Sequence, residues 1–186
     1  SVENYFAKFD NCSTYFLDRD YYGSPLRNWS VSSPQHIPGN VVDILFNKEL
    51  FSEYFAILRE PIDRFKSTFV FQKYQQKNIQ EEFDCNYFVN EILVNNCLRQ
   101  GWCDNHFQPQ KTFLVPNKNY KLFEMNNNGM KNLKKYIDQV ILKTNLDINI
   151  TRDNKKSLSI DIDKEDLILN SRSITILNEI YEEDFD

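Results

Sequence analysis

The sequence has few of the residues on which metal-held and disulfide-held proteins depend. It contains two histidines and four cysteines, at Cys12, Cys85, Cys97 and Cys103, and no two cysteines form a CxxC pair. Such a set is poor for zinc. Cys97 and Cys103 would close a small disulfide loop in an oxidising compartment, whereas reduced and buried thiols are the alternative that we favour.

The chain also lacks an excess of positive charge and a long apolar run. Its 27 acidic and 22 basic residues give a net charge of -5, so we do not expect a general nucleic-acid binder, which must neutralise many phosphates. No apolar run approaches the ~20 residues that cross a membrane. One anionic small molecule stays compatible with this charge, because a local basic pocket can form inside an acidic protein.

Material for a hydrophobic core is plentiful. Hydrophobic residues make up 41% of the 186 residues, and aromatic residues make up 15%. A chain of this length buries roughly two-thirds of its unfolded surface when it folds. We therefore expect residues 1–186 to form a single domain that needs neither a metal nor a disulfide to stay folded.

The spacing of apolar residues predicts strands that alternate with helices. The runs EYFAILR, KTFLV and YKLFEM are typical of short strands. Helices are predicted at Val2 to Phe9, Val41 to Phe51, from Pro61 onward, and at Phe83 to Leu98, Met130 to Leu142 and Ile174 to Tyr181. A long loop from Asn11 to Asn40 separates the first two helices. This alternation indicates an α/β fold with a mainly parallel sheet.

A charged group interrupts the apolar pattern in YFAILREPIDRFKSTFVF. A strand that ends at Leu58, followed by Arg59 and a helix that Pro61 opens, puts a guanidinium beside a helix N-terminus. Arginine and the N–H groups of a first helical turn suit phosphate or sulfate, and Ser67 on the next turn can add a hydroxyl. The alternative is that the charged residues only pair with one another at the surface. Those residues are Arg59, Glu60, Asp63 and Arg64.

The segment ILREPIDRFKSTF is similar to the 3′-phosphate-binding segment of sulfotransferases that use 3′-phosphoadenosine 5′-phosphosulfate (PAPS). The resemblance is strongest to the carbohydrate sulfotransferase group, which includes Golgi-type and bacterial family 2 enzymes. DNHFQPQKTFL resembles the family's histidine-aromatic-x-proline-glutamine loop, and LNEIYEEDF resembles its C-terminal helix. YKLFEM resembles a family strand that ends in glutamate, here Glu124. The matches follow the family's order from about His36 to the last residues.

The resemblance implies one P-loop-like, three-layer α/β domain, with a mainly parallel sheet flanked by helices. It implies PAPS as the sulfuryl donor without a metal, a hydroxyl of a carbohydrate or glycoconjugate as the acceptor, and Arg59 and Ser67 as ligands of the 3′-phosphate. The family's 5′-phosphosulfate loop, with its lysine, would precede Ser1. We therefore expect a domain that is truncated at its N-terminus and inactive alone. A bacterial or viral protein would be cytoplasmic, and a Golgi-lumen enzyme would have its membrane anchor upstream.

Two histidines are candidates for the general base that takes the proton of the acceptor hydroxyl. His36, in SSPQHIPGN, lies about where related glycan sulfotransferases carry their base, and we predict that role for it. A loop histidine that only hydrogen-bonds locally is the competing interpretation. His106 belongs to the better-matched loop, where Trp102 and Phe107 favour a structural role. Glu124 is the remaining option for a base.

Three functions stay open at this point. The first is the PAPS-dependent sulfotransferase, and the second is a non-catalytic nucleotide- or glycan-binding remnant of the same fold. The third is a kinase-like phosphotransferase, against which the chain shows no glycine-rich GKS/T loop. The basic cluster RDNKKS, with Lys155, Lys156 and Ser157, would add to the 3′-phosphate site of the first function, and is otherwise a solvated loop.

Overall fold

The computed structural model describes Ser32, residues 36–143 and residues 165–185. These residues form helices and a two-stranded parallel sheet, which places the chain in the mixed α/β class that the alternating pattern predicts. The predicted helix at Val2 to Phe9, most of the long loop after it and the basic cluster RDNKKS lie outside the described residues. None of the helices that the structure describes is both long enough and apolar enough to cross a membrane.

The described elements follow one another as helices, strands and single turns. The helices and strands are α1 (Gly39–Leu45), β1 (Phe55–Leu58), α2 (Pro61–Val70), α3 in three segments (Cys85–Tyr87, Phe88–Leu93 and Val94–Asn96), β2 (Lys121–Glu124), α4 (Asn127–Tyr136) and α5 (Ser171–Ile180). Turns of π-helix extend α2 through Phe71–Gln75 and α4 through Ile137–Ile141. Turns of 3-10 helix lie at Lys48–Leu50, Trp102–Asn105, Gln110–Phe113, Glu165–Leu167 and Glu182–Asp184.

Two compact units divide these elements, and the smaller one contains the sheet. Its strands β1 and β2 pair in parallel, with Leu58 opposite Glu124 at their carboxyl ends. Phe123 on β2 packs with Leu133 and Ile137 on the buried face of α4 and its extension. Each such side chain contributes about 1.5–3 kcal/mol by leaving water. The sheet and α4 thus share a small apolar core of their own.

The larger unit is built around an aromatic core. Phe65 and Phe69 are four residues apart on α2, so they lie on one face of the helix. That face packs against Phe88 of α3, Phe107 and Tyr181, all of which are buried. Pro61 begins α2 at the first helical position, as the sequence predicts, and the carboxylate of Glu60 caps the helix end. Two segments that the site depends on, residues 59–71 and 101–113, are therefore fixed by one core.

One predicted strand is wrong. KTFLV does not extend, because Gln110–Phe113 forms a 3-10 turn. The N–H groups of Gln110 and Lys111 donate to the carboxylate of Asp184, at 2.7 and 2.9 Å, and so do not take part in a strand ladder. The helix predicted at Val41 to Phe51 is likewise divided, since the Asn47 side chain accepts from Glu49 N–H and starts a separate turn. The strands EYFAILR and YKLFEM are confirmed as β1 and β2.

Candidate functional site

The turn that follows α3 has an unusual backbone. Cys103, Asp104 and Asn105 adopt φ values of 46°, 55° and 62°, which is the left-handed region, and Gly101, two positions before Cys103, has a φ of 80°. For a residue with a Cβ this conformation costs roughly 1–2 kcal/mol. Such strain persists only where the surroundings hold it, and it is concentrated at functional sites. Residues 101–108 are therefore a candidate functional segment of the larger unit.

The buried side chain of Asn105 holds this turn and ties it to residue 36. Its amide nitrogen donates to the His36 carbonyl at 2.9 Å, and its oxygen accepts from Gly101 N–H at 2.7 Å and from Gln108 at 3.2 Å. The Ser32 hydroxyl donates to the same His36 carbonyl at 3.0 Å. The backbone at His36 is thus attached to the strained turn by hydrogen bonds that no helix or strand provides.

The His36 side chain meets the carboxylate of Asp104. Its Nδ1 lies 2.8 Å from Asp104 Oδ2, and the two side chains are 28% and 19% exposed. When Nδ1–H donates to a carboxylate, the imidazole is held in one orientation and in the tautomer whose Nε2 accepts a proton. This is the arrangement by which a histidine acts as a general base, and it gives His36 more than a local loop contact.

His106 lies against the same histidine in a different electrostatic setting. The two rings are 4.3 Å apart between centroids and nearly perpendicular. His106 Nδ1 is 2.6 Å from Gln72 Nε2, and Gln72 also donates to the Cys103 carbonyl at 3.4 Å. Burial lowers the pKa of His106 to about 4, and nearby His36 and Arg64 act in the same direction. The ring is therefore neutral at physiological pH, and its contacts are those of a packed loop residue.

The cluster also satisfies the simple requirements of a metal site. His36, Asp104 and His106 can offer ligand atoms that lie within 4.8 Å of one another, a set that zinc or iron can use. However, His106 Nδ1 accepts from the Gln72 amide, which puts the ring proton on Nε2 and leaves neither nitrogen with a lone pair for a metal. His36 already donates a hydrogen bond from Nδ1–H to the carboxylate of Asp104. The donors present fit proton transfer better than metal ligation.

Arg59 lies directly after β1, and its backbone is held on both sides. Gln110 Oε1 accepts from Arg59 N–H at 2.9 Å, while Gln110 Nε2 donates to the Arg59 carbonyl at 2.8 Å. Among the described residues, the guanidinium of Arg59 forms no hydrogen bond and no ion pair. A half-buried guanidinium in that state is suited to receive an anion.

The first turn of α2 does not supply the N–H groups that the sequence suggests. The Glu60 carboxylate accepts from Ile62 N–H at 3.1 Å and from Asp63 N–H at 2.7 Å, so the helix end is capped by its own chain. No ion pair joins the charged residues of this described segment to one another, which counts against the interpretation in which they only pair among themselves. Arg64 instead donates to the His106 carbonyl at 3.1 Å. Any anion at this point must be held chiefly by Arg59.

The remaining candidates fall in different surroundings. Ser67 is exposed on the second turn of α2, and no hydrogen bond in the described part of the chain joins it to Arg59 or His36. Glu124, at the end of β2, accepts from the side chain of Asn126, two positions further along the chain. The structure therefore joins His36 with Asp104 and His106 in one cluster, and it joins Arg59 with Gln110 in another.

Hydrogen bonds connect the three segments that contain Arg59, Gln110 and Asp184. Arg59 belongs to the first segment and is held by Gln110 of the second. Gln110 N–H in turn donates to Asp184 of the third segment at 2.7 Å. The Tyr181 hydroxyl, which is fully buried, donates to the Phe107 carbonyl at 3.0 Å. Segments that are separated by more than forty residues in sequence thus form one hydrogen-bonded framework.

Sequence reasoning missed Asp104 and Gln72. Asp104 precedes His106 by two positions, in WCDNHF, and nothing in a single sequence indicates that its backbone is left-handed. Gln72 lies on the buried side of the α2 extension, where a glutamine among aromatic residues is an available but weak signal.

Comparisons with protein-family models, with curated proteins and with solved structures found no match to this chain.

Proposed function

We propose that this protein is a sulfotransferase that moves a sulfuryl group from PAPS to a hydroxyl of a carbohydrate or glycoconjugate. The observation that carries the proposal is the hydrogen bond between His36 and Asp104, which orients an imidazole as a general base. It is supported by the resemblance of the segments around Arg59, His106 and Tyr181 to the family, and by the framework that joins these segments.

In the proposed reaction, His36 Nε2 takes the proton of the acceptor hydroxyl as its oxygen attacks sulfur. A new S–O bond forms to the acceptor, the bond from sulfur to the 5′-phosphate oxygen breaks, and adenosine 3′,5′-bisphosphate leaves with the electron pair. Asp104 stabilises the imidazolium that forms, because its carboxylate accepts from Nδ1–H. By analogy with phosphoryl transfer, positioning and charge stabilisation supply the rest of the rate enhancement.

The nucleotide end of the donor is assigned to Arg59 and Ser67. Arg59 offers a guanidinium without a partner among the described residues, and Ser67 offers an exposed hydroxyl eight positions further along the chain. The finer fold is part of the same proposal: a P-loop-like, three-layer domain of which β1 and β2 are two parallel strands, each followed in the sequence by a helix.

The test is turnover of PAPS by the protein in its native length, with a panel of oligosaccharide acceptors. His36→Gln should lower kcat by a factor of ~10²–10⁴ and leave KM for PAPS nearly unchanged. Asp104→Asn should lower kcat by a smaller factor. The matched control is Glu179→Gln, which also removes one carboxylate charge but lies exposed on α5.

The outcomes separate the enzyme from its alternative. Equal kcat values for His36→Gln and the wild type would remove His36 as the base. Tight binding of adenosine 3′,5′-bisphosphate without turnover of any acceptor would favour the non-catalytic nucleotide-binding remnant. Absence of both binding and turnover would overturn the sulfotransferase assignment itself.

A further inference from the structure

We propose that Gln110 and Asp184 are positioning residues for the anion site, and that they act through Arg59 to set the affinity for a 3′-phosphate. The inference rests on the proposed function, in which Arg59 binds that phosphate. In the hydrogen bonds described, the side chain of Gln110 bonds only to the backbone of Arg59, and the side chain of Asp184 bonds only to the backbone of Gln110 and Lys111. Neither residue is assigned a contact with the nucleotide.

Gln110 fixes the direction in which the Arg59 side chain leaves the backbone. Its amide spans one residue, accepting from the N–H and donating to the carbonyl of Arg59 at 2.9 and 2.8 Å. Both torsions at the Arg59 Cα are restrained when these two groups are held. Arg59 also follows a strand and precedes the N-cap Glu60, where no regular ladder would otherwise hold it. A restrained backbone lowers the entropy that a long side chain loses when it binds.

Asp184 fixes Gln110 in turn. Its two carboxylate oxygens accept separately from Gln110 N–H at 2.7 Å and from Lys111 N–H at 2.9 Å, which are short, charge-assisted bonds. They lie at the N-terminal end of the Gln110–Phe113 turn, where a negative charge is favourable. Asp184 belongs to the turn after α5, three residues beyond the buried Tyr181. Asp184, near the C-terminal end of the described chain, is therefore linked to Arg59 through the hydrogen bonds of Gln110.

A purely structural role makes a different prediction from a positioning role. If these hydrogen bonds only hold the fold together, then replacing Gln110 or Asp184 lowers the melting temperature and weakens every nucleotide equally. If they position Arg59, the loss is confined to ligands that carry a 3′-phosphate. The ratio of affinities for adenosine 3′,5′-bisphosphate and adenosine 5′-monophosphate separates the two roles, because the ligands differ only in that phosphate.

The experiment is calorimetric titration of both nucleotides into the native-length protein and three variants. Gln110→Leu removes both bonds to Arg59 at similar side-chain volume, and Asp184→Asn removes the charge that holds Gln110. Each variant should lower the affinity for the bisphosphate by about tenfold or more and leave the affinity for the monophosphate unchanged. Glu183→Gln is the matched control, since it removes a neighbouring exposed carboxylate that only approaches Lys111 Nζ at 3.7 Å. It should behave as the wild type.

A double variant gives the sharper result. In an Arg59→Ala background, Gln110→Leu should weaken bisphosphate binding no further, because its effect passes through the missing guanidinium. Additive losses would overturn the inference, as would full selectivity for the bisphosphate in Gln110→Leu. If Gln110→Leu fails to fold, Asp184→Asn makes the same comparison from the other end. A wild type that does not distinguish the two nucleotides would overturn the 3′-phosphate site, and with it the proposed function.

Discussion

His36 and Asp104 lie 68 positions apart in the sequence and share a hydrogen bond of 2.8 Å. The carboxylate reaches the imidazole from a left-handed turn, while His36 itself comes just before α1. Asn105 bonds to both sides of this junction, through Gly101 N–H and the His36 carbonyl. The proposed base at position 36 therefore depends on two separate segments, and changes in either segment should affect it.

The two arginines of the REP segment should separate binding from stability. Arg59→Ala should lower the affinity for adenosine 3′,5′-bisphosphate to that for adenosine 5′-monophosphate, while it leaves the free energy of unfolding nearly unchanged, because its guanidinium has no partner among the described residues. Arg64→Ala should lower the free energy of unfolding by about 1–3 kcal/mol, since it leaves the His106 carbonyl without its donor. Titration calorimetry and urea denaturation measure the two effects. Equal destabilisation by both variants would contradict this division of roles.

Gly39 should not tolerate alanine, although it lies in the first turn of a helix. A Cβ at this position would collide with the backbone carbonyl of Leu114, which cannot move as a flexible side chain can. Alanine normally stabilises a helix relative to glycine. Here we expect Gly39→Ala to lower the free energy of unfolding by about 1–3 kcal/mol. Asn40→Ala, at the exposed neighbouring position, is the control and should be neutral or slightly stabilising in the same urea denaturation series.

His106 should make the protein less stable in acid. Its pKa falls from 6.5 to about 4 in the folded state, because burial outweighs the opposing charge of Asp104, and His36 and Arg64 add to the lowering. The unfolded chain therefore binds more protons between these values, and this part of the stability is present above about pH 6.5 and lost as the pH falls to about 4. His106→Gln should show a smaller loss over that window. Urea denaturation at several pH values checks it, and an identical slope in both proteins would contradict it.

The described cysteines should resist alkylation in the folded protein. Burial raises the pKa of Cys85 and Cys103 to about 11 and also raises the pKa of Cys97. All three are free thiols, so the disulfide between Cys97 and Cys103 is not formed. Since only the thiolate reacts, iodoacetamide should label these sites at least about a hundredfold more slowly in native protein than in urea. Peptide mass spectrometry locates the label, and recovery of a linked Cys97–Cys103 peptide would contradict the expectation.

The sequence predicts the regular elements well where the local signal is complete. β1 follows from an apolar run and α2 from a proline that opens a helix, both of which are readable in EYFAILREP. KTFLV fails because its partner is Asp184, more than seventy positions away, whose carboxylate takes the N–H groups of Gln110 and Lys111. β-Propensity depends on the local sequence, so it does not reveal an acceptor for these N–H groups that lies so far away in the chain.

The candidate site is predictable only in part, for a similar reason. His36 and Arg59 can be selected from residue type and position, because few side chains supply a base or a fixed fork of donors. Asp104 cannot be selected in this way, since its role depends on three consecutive left-handed residues and on the buried amide of Asn105. The sequence also does not predict that the Glu60 carboxylate caps α2, because the same sequence permits a bound anion at this helix end.

The left-handed turn at Cys103, Asp104 and Asn105 sets a rule for recognising distant relatives of this chain. Asparagine, aspartate and glycine adopt that backbone most readily, and β-branched residues scarcely adopt it at all. On backbone grounds alone, a homologue that keeps the turn should vary among these three residue types before it accepts valine, isoleucine or threonine. Keeping the bond to His36 Nδ1 also requires an aspartate at position 104. The expected signature is three consecutive residues that tolerate a left-handed backbone, directly before a histidine. It can be kept after most of the surrounding residues have changed.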